Sequence, residues 1–143
     1  ICYMADSNPK ALEMVTNMYM AVNMRLVFMS AAEHDSHAAY VSHISHLTSF
    51  ALALTVLDKE KNEKNIFNLA SGGFDSTVRL AASSASMWVP VFSQNRENVV
   101  EVMNTYIEKM TEFKEAIANG DDNQVENLIL EANIIQKTLT QFS

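Results

Sequence analysis

Apolar positions recur at helical spacing along most of the chain. Val100, Met103, Ile107, Met110 and Ile117 are three, four or seven residues apart, and Val125, Leu128, Ala132, Ile135 and Leu139 keep the same period. Gly120 separates the two runs and reads as a left-handed helix cap. Asp121 opens the second run with Gln124 three residues on, the form of a capping box. Together these signals predict an antiparallel helical hairpin. Upstream, a helix is expected from Glu33, with Tyr40, Ile44, Leu47, Ala51 and Leu54 in one stripe. A charged turn follows over Lys59 to Lys64, then a short helix over Ile66 to Ala70. Ser71 to Gly73 holds the only paired glycines and reads as a tight bend. A helical segment from Phe74 to about Ser83 comes next. A further helix begins near SASMW, capped by Ser84 or Ser86, with Pro90 in its first turns or breaking it.

The first thirty residues follow another pattern. Ile1 to Met4 and Arg25 to Met29 (RLVFM) are short apolar runs that read as strands. Between them, Asn8 is a candidate N-cap with Pro9 at the first helical position, and Leu12, Val15, Tyr19 and Val22 form a helical stripe. Strand, helix and strand make an α/β unit, but two strands are too few for an independent parallel sheet. The chain also begins at Ile1 rather than Met, and it reads as a piece of a longer protein. The expected fold is mainly α, with an α/β remnant at residues 1–30 and a helical domain at 31–143.

Composition supports helices. Hydrophobic residues make up 48% of the chain, while Gly and Pro number only 3 and 2. The net charge is −7 with no basic run, which argues against nucleic acid as a partner. Cys2 is the single cysteine, so an internal disulfide and multi-cysteine zinc motifs are excluded. No membrane span is expected, because the apolar stretch near Phe50 to Leu57 is short and interrupted by Thr55. No basic region precedes an apolar run as in a signal peptide. The long helices carry more apolar surface than one layer can hide, and this predicts a homodimer.

All four histidines lie in HDSHAAYVSHISH, from His34 to His46. On a helical wheel His43 falls within the apolar stripe and His46 lies at its margin, near Phe50, Ser42 and Ser49. Three readings stand. The imidazoles can be satisfied core residues, since a buried imidazole needs hydrogen-bond partners. They can be two ligands of a metal, although no HExxH is present and a structural zinc site wants four ligands. Or they can line a polar pocket for a small anionic or hydroxylated ligand. Arg79, in GGFDSTVRLAAS, is either an ion-pair partner of Asp75 or a receptor for a carboxylate, which its planar fork suits. Trp88, the only tryptophan, is by default a packing residue.

Taken together, His34-Asp35, SHISH at Ser42 to His46, FALA at Phe50 to Ala53, GGF, Arg79, Met87-Trp88 and NREN at Asn95 to Asn98 resemble the helical C-terminal domain of prephenate dehydrogenases. The resemblance covers essentially the whole chain. It implies an enzyme that oxidises prephenate with NAD or NADP. Hydride leaves the ring carbon bearing the hydroxyl, carbon dioxide is lost, and 4-hydroxyphenylpyruvate forms on the way to tyrosine. It implies a cytoplasmic homodimer whose Rossmann-type nucleotide domain ends in residues 1–30 and whose helical domain supplies dimer contacts and part of the substrate pocket. Arg79 matches the arginine that holds a substrate carboxylate. His46 matches the second histidine of the family's SHxPH segment, which faces substrate or inhibitory tyrosine. Trp88 matches a pocket tryptophan, and His43 and Gly73 complete the implied pocket.

The catalytic histidine and the glycine-rich dinucleotide cradle of that family belong to the upstream domain, and no GxGxxG occurs here. No catalytic residue, metal or bound cofactor is therefore expected of this chain by itself. It departs from the family at Ser45, where proline is usual, at Ser76, where an acidic residue is common, and at Val89-Pro90, where Arg-Asp often stands. These departures bear on the ion pairs of the pocket rather than on the fold. Two alternatives remain open: a non-catalytic helical dimerisation module, and an arogenate-specific dehydrogenase of the same design.

Overall fold

The computed structural model describes residues 1–63 and 65–141. Lys64, the end of the expected charged turn, lies outside the described residues. The chain divides by its internal contacts into two units, Ile1–Val102 and Met103–Ser143.

The first unit opens with β1 (Cys2–Tyr3), α1 (Pro9–Ala21) and β2 (Met29–Ser30). β1 and β2 pair in parallel, Cys2 opposite Met29 and Tyr3 opposite Ser30, so α1 is a crossover helix. Asn8 caps α1 through its side-chain oxygen, which accepts from the Lys10 and Ala11 amides, and Pro9 is the first helical residue. The strands are shorter than the apolar runs suggest. Of Leu26 to Phe28, among the described residues, only Val27 is bonded to the neighbouring segment, its carbonyl accepting from the Ile1 amino group at 2.7 Å, and a strand exists only through pairing.

The helical region begins at α2 (Ala31–Ala38), two residues before the start read from the sequence. Ser30 and Glu33 form a reciprocal capping box. The Glu33 amide donates to Ser30 Oγ at 3.2 Å, and the Ser30 amide donates to Glu33 Oε2 at 2.7 Å. The S-x-x-E spacing of that box is legible in the chain. α2 runs through a π-helical turn, Ala39–His43, into α3 (Ile44–Glu60). The resulting 30-residue helix is long and apolar enough to cross a bilayer by length and composition alone. Among its few buried positions are His43 and Ser49, both hydrogen-bonded to other elements.

After a 3-10 turn (Ile66–Leu69) come α4 (Gly72–Val78), a second 3-10 turn (Arg79–Ala82), α5 (Ala85–Gln94) and α6 (Arg96–Asn119). Gly72 and Gly73 open α4 instead of forming a bend, and Ser76 and Thr77 donate their hydroxyls to the Gly73 carbonyl. Pro90 lies inside α5, beyond its first turn, and the helix continues through it. α3 packs against α4 and the second 3-10 turn. The core of this unit holds Ala39, Trp88, Val99 and Val102 together with the polar His43, Ser49 and Asn95. Each of those three polar side chains has a protein partner.

The second unit contains the rest of α6 and α7 (Asp122–Thr140). Gly120 has φ +66°, the left-handed cap geometry that glycine adopts without strain. Asp121 Oδ1 accepts from the Gln124 amide at 3.0 Å and caps α7. Ala116 and Leu128 are its buried apolar residues. The chain is thus mainly helical with a two-stranded parallel remnant, as its sequence suggests.

Candidate ligand pocket

The π-helical turn determines how the histidines face. An extra residue within one turn rotates every later side chain relative to a regular helix. Tyr40 and Leu54, expected on the buried stripe, are 46% and 61% exposed, whereas Ser49 is buried. The interior face of α3 is therefore more polar than a uniform period predicts.

His43 is buried, and its Nδ1 lies 3.3 Å from Asn95 Nδ2. His46 is half-buried. Its Nδ1 lies 3.1 Å from the Ser42 carbonyl, which can only accept, so Nδ1–H donates and Nε2 is left as an acceptor in the neutral ring. Both rings meet Trp88. The His46 ring stacks on the indole at 3.7 Å and 31°, and His43 meets it edge to face at 5.9 Å and 80°. Phe92 extends the cluster, 5.2 Å from Trp88 and 6.3 Å from His43. Trp88 Nε1 is buried and has no hydrogen-bond partner among the described residues. Such an orphaned donor costs about 1–3 kcal/mol.

Beside this cluster lies a cleft of about 410 Å3. Phe50, Ala53, Leu54 and Leu57 of α3 form one wall, and Ala81, Ser83, Trp88, Val89 and Phe92 contribute to the others. Its surface is almost wholly apolar. The arrangement suits the ring of a ligand, held against aromatic walls, with the ligand's polar groups outside this cleft.

Arg79 begins the 3-10 turn that packs on α3, the helix of His46, and its side chain is exposed. Among the described residues it makes no hydrogen bond or ion pair. Asp75, the alternative partner, makes no ion pair with it among the described residues. Gly73 is exposed, and a Cβ there would meet only Ser71 Oγ, at 3.9 Å. No three His, Cys, Asp or Glu side chains gather as a metal site among the described residues. Asn95 and Ser49, which sequence reasoning did not single out for the site, tie the helix of the histidines to its neighbours: Asn95 Nδ2 meets His43 and the Asp35 carbonyl, and Ser49 Oγ donates to the Thr77 carbonyl. Asn95 stands in NREN, but nothing local in the sequence marks it as buried.

Burial pushes the His43 pKa down, with His34 and His46 adding to the shift and Asp35 opposing it. The unfolded chain therefore takes up a proton near the ordinary value of 6.5 while the folded chain resists it. Stability should be full above that value and fall as pH drops through it toward the lower folded value. Glu33 is shifted down mainly by its hydrogen bonds to Ser30, so its contribution is also lost on acidification, at lower pH. Urea unfolding between about pH 7.5 and 5.5 should show the decline, and His43→Gln should flatten it. An unchanged slope in that variant would assign the decline to other groups.

A parallel β-α-β unit running into helices with large exposed apolar faces is the class of fold seen here. The family model described as "Prephenate dehydrogenase, dimerization domain" matches residues 30–131, and the chain belongs to that family. The chain is 25% identical over 115 residues to the prephenate dehydrogenase of Bacillus subtilis, covering 80% of this chain and 31% of that one. It is 26% identical over 118 residues to the cyclohexadienyl dehydrogenase of Zymomonas mobilis, covering 82% and 40%. Among solved structures, that of the Aquifex aeolicus prephenate dehydrogenase in complex with hydroxyphenyl propionate and NAD+ matches with a TM-score of 0.87 and 26% identity, over 96% of this chain and 48% of that one. The chain thus spans between about a third and a half of the length of these relatives.

Proposed function

We propose that this chain is the dimerisation and substrate-pocket part of a cytoplasmic prephenate dehydrogenase. The observation that carries the reading is the His46–Trp88 stack, with its unpartnered indole N–H, beside an apolar cleft in a chain of this family. The whole enzyme removes hydride from the ring carbon bearing the prephenate hydroxyl, and carbon dioxide leaves. A nicotinamide dinucleotide, held outside this chain, would supply the hydride acceptor. The residues here do not fit its pyrophosphate, because the three glycines, Gly72, Gly73 and Gly120, form no G-x-G-x-x-G turn. This chain's own part is binding. Arg79 pairs with a substrate carboxylate, and its unpaired guanidinium is consistent with that role. His46 Nε2 accepts a hydrogen bond from the ligand's polar end, and the same contact serves inhibitory tyrosine. His43 and Trp88 hold the aromatic wall, and Gly73 begins the helix that leads to Arg79. A homodimer completes the assembly.

Arg79→Ala tests the reading in the full-length protein carrying this chain, assayed with prephenate and with arogenate. A charge-assisted hydrogen bond is worth about 1.5–3 kcal/mol, so KM should rise roughly ten- to hundredfold. An unchanged KM for both acids removes the carboxylate-receptor role.

A further inference from the structure

Asn95 sits where α5 passes into α6, 9% exposed, and joins three elements. Its Nδ2 donates to the Asp35 carbonyl of α2 at 2.7 Å, and its Oδ1 accepts from Asn98 Nδ2 at 2.7 Å. These two bonds determine which end of the amide is which. A carbonyl cannot donate, so the atom facing Asp35 must be nitrogen, and the atom receiving the Asn98 amide must be oxygen. The second hydrogen of that nitrogen is left for His43 Nδ1, 3.3 Å away. A nitrogen that receives a hydrogen bond carries a lone pair. His43 is then neutral with its proton on Nε2, the tautomer opposite to the one the Ser42 carbonyl imposes on His46.

From this geometry we infer that Asn95 is a positioning residue for the ligand-binding wall, acting by holding His43 as the Nε2–H tautomer in one ring orientation. The inference rests on the pocket reading above. His43 meets Trp88 and Phe92 edge to face, at 80° and 75°, so rotation of its ring would change both contacts at once. Trp88 in turn is the surface on which His46 stacks. Asn95 thus acts through His43 on Trp88, which lines the cleft, and through Trp88 on His46, the imidazole to which the pocket reading gives the ligand contact. The charged or titratable groups acting on His43 are Asp35 and His34 from α2 and His46 from α3. Protonating His43 would bring an N–H against the Asn95 N–H and break the anchor.

The test uses the full-length protein with 15N-labelled histidine. Long-range 1H–15N spectra report which ring nitrogen carries the proton. In the unsubstituted protein His43 should carry it on Nε2 and His46 on Nδ1. Asn95→Asp keeps the shape but replaces the donor with an acceptor. The His43 proton should move to Nδ1 and its pKa should rise, while the His46 tautomer stays as it was. Adding prephenate or tyrosine should shift the His46 signals, and Asn95→Ala should weaken that shift. A His43 proton found on Nδ1 before any substitution overturns the inference, and that measurement needs no variant to fold. So does an Asn95→Asp protein whose His43 proton stays on Nε2. If the tautomers are as stated but neither ligand moves the His46 signals, the pocket reading fails and the positioning role fails with it, leaving Asn95 as a structural anchor only.

Discussion

Trp88→Ala should lower the unfolding free energy by about 3–5 kcal/mol, the usual cost of removing a large aromatic side chain from a core. Trp88 is 6% exposed in a unit with few buried apolar residues, so little else can fill the space. Three rings, His43, His46 and Phe92, lose their common neighbour. One term works in the other direction. The indole N–H has no acceptor among the described residues, and deleting an unsatisfied donor recovers part of the loss. Trp88→Phe keeps an aromatic face and deletes that N–H, so it should cost far less than the alanine variant. Urea unfolding with an unchanged denaturant slope would measure both. A Trp88→Ala protein less than about 1 kcal/mol weaker than the original would mean that the cluster is not the keystone of this unit.

The features legible in the sequence are those with local causes. Asn8-Pro9, Gly120 and Asp121 cap helices through atoms within four residues of themselves, and each stands where its chemistry places it. The features that were not legible depend on distant atoms. The π-helical turn at Ala39–His43 leaves no mark in the periodicity, so Tyr40 is out of register with the stripe that follows the turn. Asn95 is an ordinary polar residue until Asp35, sixty positions away in sequence, accepts its hydrogen bond. The strand-like run before Met29 meets the other strand only where the Val27 carbonyl accepts from Ile1, and only two residues of each strand pair. Gly73 shows the ambiguity of glycine. It permits a bend but does not require one, and here it takes part in a helix. Family resemblance reaches further than periodicity because it rests on several short motifs held in one order, which no single helical repeat supplies.

Replacing Ile107 and Ile117 by glutamate should turn the proposed dimer into a monomer while leaving the subunit folded. Both side chains lie on the part of α6 that belongs to the second unit, and they are 56% and 66% exposed. Ile134 and Ile135 of α7 and Met110 of α6 are exposed to a similar degree. A hairpin with so many large apolar side chains facing outward buries little within itself, where Ala116 and Leu128 are its buried apolar residues. Because the substituted positions are already exposed, the cost to the single subunit is that of a surface change, within about 0.5 kcal/mol. The cost to association is much larger. A carboxylate placed in a dry interface without a partner loses several kcal/mol, and a twofold interface presents each substitution twice. At about 1.4 kcal/mol per factor of ten, two such charges per subunit should raise the dimer dissociation constant by at least roughly a thousandfold. Sedimentation at micromolar concentration should then show the monomer, with an unchanged helical circular dichroism spectrum. A variant that still sediments as a dimer would move the association surface off this hairpin and onto the first unit, where exposed Leu54, Leu57 and Val89 flank the cleft.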